Sequence, residues 1–126
     1  MRIFWIGLGG AVGTVGRYLL SGWLLKILGP ELPYGTLAVN VLGSFLVGAI
    51  MQVALQVETF PPTLRLALTT GVMGGFTTYS TFNYETLRYF QESSWLLGFA
   101  NLGVTVLACL GAGALGLVCG RLLVGG

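Results

Sequence analysis

The stretch "GVMGGFTTYSTFNYET", Gly71 to Thr86, joins adjacent glycines at Gly74 and Gly75 to the hydroxyls of Thr77, Thr78, Ser80 and Thr81, the rings of Tyr79 and Phe82, and the carboxyl of Glu85. In a soluble chain it would read as a loop. Its surroundings forbid that reading, because no charged residue occurs over Leu66–Tyr84. Two further runs, Leu32–Val57 and Ser93–Gly120, are also free of charge. Each run is near or above the roughly 18–20 residues that cross a hydrocarbon core. Ile3–Leu28 is equally apolar apart from Arg17 and Lys26.

The 126 residues are 55% hydrophobic and 8% charged, against about 25% charged in a soluble domain. These patterns predict an all-α integral membrane protein, one domain over residues 1–126, with four transmembrane helices at about 3–28, 35–57, 62–91 and 94–123. The opening "MRIFWIGLGGAVG" imitates a signal peptide, but its continuation "RYLLSGWLLKIL" points to a retained first span. Turn signals separate the spans: "GPELPYG", "ETFPPT" with Pro62 in the first turn of the third span, and "QESS" with Ser93 or Ser94 as a cap for the fourth. Cys109 and Cys119 share one helix about 15 Å apart, too far for a disulfide, and read as small buried hydrophobes. The absence of histidine argues against a transition-metal site.

Four short helices enclose a pathway poorly, so association with a second copy is expected. The 21 glycines support it, with GxxxG spacing at Gly9/Gly13, Gly71/Gly75 and Gly116/Gly120. The alternative is that these glycines pack the chain on itself. Orientation should follow the Lys/Arg bias of short loops. Arg2, Arg65 and Arg121 fall on one side, Lys26 and Arg88 on the other, with Arg17 buried or snorkelling. That balance points to insertion in both directions, and hence to an antiparallel, dual-topology homodimer.

The opening stretch predicts a third span broken near the bilayer midplane. Paired glycines weaken a helix by about 1 kcal/mol each, and the hydroxyls compete for its backbone groups. Broken backbone at that depth is tolerated when buried in protein or lining a cavity. Its freed carbonyls suit a cation and the amides of the restarted helix an anion; the alternative is a kink repaired by threonine hydroxyls. Asn40 in the second span and Asn101 in the fourth are polar groups at membrane depth, which face a bundle interior or a pathway. Ser80, Thr81 and Glu85 continue a polar series, with Tyr79 and Phe82 on a neighbouring face. Hydroxyls, amides and aromatic edges without an internal lysine or arginine suit a small anion.

"GTLAVNVLGSFLVG", "TTGVMGGFTTYSTFNYET" and the opening "GLGGAVGTVGRYLL" closely resemble the signatures of the fluoride channel family, Fluc, also called CrcB. The resemblance covers essentially the whole chain. It implies an antiparallel homodimer that passively exports fluoride through two pores of a bacterial inner membrane, lowering cytoplasmic fluoride. It also implies a structural sodium ion on the dimer axis, held by the backbone carbonyls of Gly74 and Thr77 from both subunits. The family's pore asparagine falls on Asn40 and its polar track on Ser80, Thr81 and Glu85, with Asn101 on the fourth span. Its arginine falls on Arg17, either lining an anion-attracting vestibule or snorkelling toward a structural partner. The pore-facing phenylalanine pair falls on Tyr79 and Phe82, so Tyr79 departs by a hydroxyl; Asn83 departs from the commoner serine.

Other functions fit less well. A small proton-coupled multidrug exporter shares four spans and dual topology, but it needs a carboxylate in the first span, where only Arg17 and Lys26 are charged. An accessory membrane protein leaves the polar series without a role. Neither a nucleophile–base constellation for an enzyme nor a basic surface for nucleic acid is visible.

Overall fold

The computed structural model describes residues 1–125; Gly126, the end of the expected single domain, lies outside the described residues. Every regular element among the described residues is helical: α1 (Arg2–Leu28), α2 (Tyr34–Gln56), α3 (Pro62–Leu66), a π-helical stretch (Ala67–Met73), α4 (Gly74–Phe76), α5 (Tyr79–Gln91) and α6 (Trp95–Leu123). Helices α1, α2 and α6 have 27, 23 and 29 residues and are apolar enough to cross a membrane. At 1.5 Å per residue all three exceed a core of about 30 Å.

The third span is in two pieces. From Pro62, at the first helical turn, α3, the π-helical stretch and α4 run continuously, and α5 follows with 13 residues. Neither piece alone is long enough to cross, since α5 rises only about 20 Å. Between them Thr77 and Thr78 leave the helical region, with φ/ψ of −87/160 and −148/116. Thr78 then caps α5, its hydroxyl oxygen accepting the Thr81 amide at 3.3 Å. The glycines are not the break, because Gly74 keeps helical angles of −61/−39.

Gly75 instead lets α4 touch α1, as a Cβ there would lie 2.5 Å from Gly10 O and 2.9 Å from Thr14 Oγ1. The same logic governs all three spaced glycine pairs. A Cβ on Gly9 would meet Ala67 O at 2.6 Å and one on Gly13 would strike Val72 O; Gly71 faces Ile6 O at 2.9 Å. On the other side of the fold, Gly116 abuts Phe45 O and Gly120 lies against Ala49 O. These pairs bring helices together within one chain, α1 to the third span and α2 to α6, as one of the two readings of their spacing requires. Small residues at close helix contacts are what packing in lipid requires.

Large apolar side chains such as Leu19 and Leu107 point outward. The buried positions are largely glycines and threonines, with Val39, Met73, Phe82 and Ala112. A lipid-facing exterior around a small-residue interior marks a multi-pass membrane protein. Cys109 and Cys119 are free thiols and half-buried rather than fully buried. Ser94 occupies the N-cap of α6 but its side chain makes no capping bond. The turn before it is held by rings: Phe90 lies 5.1 Å from Trp95 at a tilt and meets Phe99 edge to face at the same distance, over Gly98.

Candidate functional site at the broken third span

The break is built from three spans. Asn40 on α2 turns its amide onto Thr78, accepting the Thr78 N–H at 2.7 Å and donating from Nδ2 to the Thr78 carbonyl at 2.9 Å. That two-point grip replaces the ladder of hydrogen bonds the extended residue lacks. Gly43, one turn further along α2, gives Thr77 room, since a Cβ there would strike the Thr77 methyl. Thr77 folds back on its own helix, its hydroxyl donating to Met73 O at 2.9 Å. From α1, Arg17 Nε donates to Gly75 O at 3.0 Å. Arg17 thus has the structural partner that one of its two readings required, and a cation there also suits a helix C-terminus.

The other polar residues form two clusters. Glu85 accepts from the Thr36 hydroxyl at 3.0 Å, while its second oxygen is buried and has no partner among the described residues. Asn101 on α6 donates to Thr86 Oγ1 at 2.9 Å, and the Thr86 hydroxyl donates to Phe82 O at 2.8 Å. The Thr105 hydroxyl reaches Asn101 Oδ1 at 3.4 Å. Thr36, Thr86 and Thr105 are buried and were not singled out from the sequence. Their signal was available, because Thr36/Asn40, Phe82/Thr86 and Asn101/Thr105 are all four apart and share helix faces.

Of the expected site residues, Asn40, Tyr79 and Phe82 line one open groove of about 860 Å3, together with Thr77, Thr78 and Thr105. Glu85 lines a different cavity of about 380 Å3 with Thr36, Ser21 and Arg88. Ser80 and Thr81 lie on the exposed side of α5, as does Asn83; Asn101 lines neither cavity. The expected series is therefore spread over several surfaces of one chain. Tyr79 and Phe82 meet edge to face, centroids 5.8 Å apart at 70°. Phe82 is buried, whereas Tyr79 is 78% exposed.

Gly74 and Thr77 present a donor set for a hard cation. Had the helix continued, Gly74 O would bond the Thr78 amide and Thr77 O the Thr81 amide. Those amides are given instead to Asn40 Oδ1 and to Thr78 Oγ1. Both carbonyls have lost their helical donors, and Gly74 is exposed.

The profile of the family described as CrcB-like protein, Camphor Resistance (CrcB), matches residues 4–117. A Sorangium cellulosum protein named fluoride-specific ion channel FluC is 59% identical over 125 residues, 99% of this chain and 98% of its own length. A protein of the same name from Anaeromyxobacter dehalogenans is 54% identical over 88% of each chain. A third, from Geobacter sp. strain M21, is 43% identical over 97% of this chain and 98% of its own. With the profile spanning nearly every helix and relatives aligned end to end, this chain belongs to the CrcB family, which is a family of channels and not of enzymes.

Proposed function

We propose that the chain is a fluoride-selective channel that lets the anion leave a cell passively, down its electrochemical gradient. The observation that carries this reading is the 59% identity, over nearly the whole chain, to a protein named for that activity. Hydrogen fluoride is a weak acid whose neutral form crosses bilayers and ionises inside, so a passive selective pore is enough to lower cytoplasmic fluoride. The multidrug exporter alternative has no support in the family assignment, and α1 offers no carboxylate.

The working unit in this reading is an antiparallel homodimer with two pores, in the inner membrane of a bacterial cell. Three features favour a second copy. The groove beside Tyr79 and Phe82 is open, and Tyr79 and Gly74 are exposed. Hard cations are held by several oxygens, so the two carbonyls of Gly74 and Thr77 from one chain cannot complete a sphere alone, whereas a second copy would bring them to four. A sodium ion bound by those carbonyls from both subunits would supply a structural crosslink at the dimer axis.

Fluoride would pass along groups that donate without trapping it. Aromatic edges of Tyr79 and Phe82 present positive quadrupole charge, and donors would come from the hydroxyls of Ser80 and Thr81 and from the second amide protons of Asn40 and Asn101, whose first ones are given to Thr78 and Thr86. Arg17 leaves its terminal guanidinium nitrogens to raise the local anion concentration, since among the described residues its bond is from Nε to Gly75 O. Glu85 would act through the donors it orders, beginning with Thr36.

The test is efflux from liposomes holding the purified protein, with fluoride and chloride loaded in parallel. Rapid fluoride efflux that needs a valinomycin-borne potassium counterflow, without chloride efflux, is the expected result. No fluoride efflux from folded protein would overturn the reading, and drug–proton exchange would then be measured. In the same assay Tyr79→Phe should keep transport and speed it, because the phenol adds a donor that lengthens the stay of the ion. Complete loss of transport would show instead that the hydroxyl is required.

A further inference from the structure

Where a helix stops, its final carbonyls lose their amide partners and need others. At the end of α4 the partners are unevenly distributed. Met73 O accepts twice, from the Thr77 amide at 3.0 Å and the Thr77 hydroxyl at 2.9 Å. Gly75 O is taken by Arg17 Nε at 3.0 Å. Gly74 O, between them, has lost the Thr78 amide because Asn40 Oδ1 holds that amide at 2.7 Å. The carbonyls on either side of Gly74 are thus occupied, while its own is withheld from the helix by a side chain of a different span.

We propose that Asn40 and Arg17 are positioning residues for a cation at the break: Asn40 keeps the Gly74 carbonyl free, and Arg17 occupies the Gly75 carbonyl so that a cation is confined to Gly74 and Thr77. The proposal rests on the sodium reading given above and extends it to which side chains make the site. Asn40 does this with both ends of its amide. Its oxygen removes the Thr78 N–H from competition, and its nitrogen, 2.9 Å from Thr78 O, holds the residue in an extended conformation at φ/ψ −148/116. Alanine at position 40 would release the Thr78 amide to re-form the helical bond with Gly74 O. Arg17 acts from the opposite flank, on α1. Without its guanidinium, Gly75 O becomes an additional ligand of a looser site, and cation size is discriminated less sharply.

The experiment is thermal unfolding of the purified full-length protein in detergent, with sodium chloride exchanged for N-methylglucamine chloride at constant ionic strength, and repeated with potassium chloride. Sodium should raise the unfolding temperature of the unaltered protein. Asn40→Ala should need about tenfold more sodium, or above, for half of that rise, the usual size of effect when a group that orients a metal ligand is removed. Arg17→Met should keep the rise but narrow the difference between sodium and potassium. A purely structural role for either residue would lower the unfolding temperature without sodium and leave the sodium midpoint and the ion preference unchanged, and that result overturns the proposal. Should Asn40→Ala fail to fold, the sodium–potassium comparison in Arg17→Met decides alone. If sodium does not stabilise the unaltered protein, the sodium reading itself fails, and this inference with it.

Discussion

Phe82→Ile is expected to reduce fluoride efflux to the level of empty liposomes while leaving a folded protein. Phe82 is the one aromatic residue of the break that is buried already in a single chain, at 6% exposure, and its ring and that of Tyr79 meet in a T-shaped contact. Isoleucine keeps an apolar side chain of moderately smaller volume, so the folding penalty should resemble that of an ordinary core replacement, about 1–2 kcal/mol. What it removes is the ring edge, the only positive electrostatic feature this position can present to an anion. The backbone at Phe82 is held independently, by the Thr86 hydroxyl on its carbonyl. Two measurements together decide the matter: efflux, and helical content with its thermal transition. Normal efflux would remove Phe82 from the pathway. Lost efflux with a collapsed transition would assign the ring to packing instead.

The spans could be read from the sequence because charge is absent wherever lipid lies; helix ends fell within a residue or two of Arg2–Leu28, Tyr34–Gln56 and Trp95–Leu123. The broken third span was legible for the same reason, but its exact point was not. Propensity singles out Gly74 and Gly75, whereas the chain leaves the helix at Thr77 and Thr78. Intrinsic preference was overridden by partners: α1 needs Gly75 inside a helix for contact with Gly10, and Asn40 supplies bonds that let Thr78 be extended. Glycine spacing likewise announces close helix contact without saying between which helices. In this fold all three spaced pairs are used within the chain, whereas Gly7, Gly22, Gly103 and Gly111, helical glycines outside those pairs, meet nothing within 4 Å.

The candidate site was legible by residue type and only partly by pairing. Asn40, Glu85 and Asn101 stand out in the sequence as polar groups at membrane depth, yet their partners depend on how each helix is rotated. Glu85 shares a face with Thr81, but its bond is to Thr36 on α2. Asn101 bonds to Thr86 across the α5–α6 contact rather than joining a file with Ser80. Such pairings depend on helix rotation, which hydropathy cannot fix in a lipid-embedded protein whose outside is as apolar as its inside.

Gly13→Val should abolish folding, and its contrast with Gly7→Ala shows where the stability of this fold resides. A Cβ on Gly13 would overlap Val72 O and come within 2.9 Å of the Phe76 amide nitrogen. Both obstacles are backbone of the third span, so no rotamer change can relieve them, and α1 would have to move away from its partner. Overpacking in a core with adjustable side chains costs about 1–3 kcal/mol. Here the whole seam of Gly9, Gly13, Gly71 and Gly75 opens together, and a loss beyond that range is expected, of the order of the 5–15 kcal/mol that holds a typical domain together. The seam also carries the Arg17 bond to Gly75, so the break would lose one of its anchors at the same time. Gly7 lies on the same helix, and a Cβ added there would meet nothing within 4 Å. Alanine at that position should therefore stabilise α1 by roughly 1 kcal/mol through helix propensity. Thermal unfolding of the two variants in detergent measures both. A folded Gly13→Val protein would mean that the α1 seam is dispensable, and a destabilised Gly7→Ala protein would place a second copy against that face of α1.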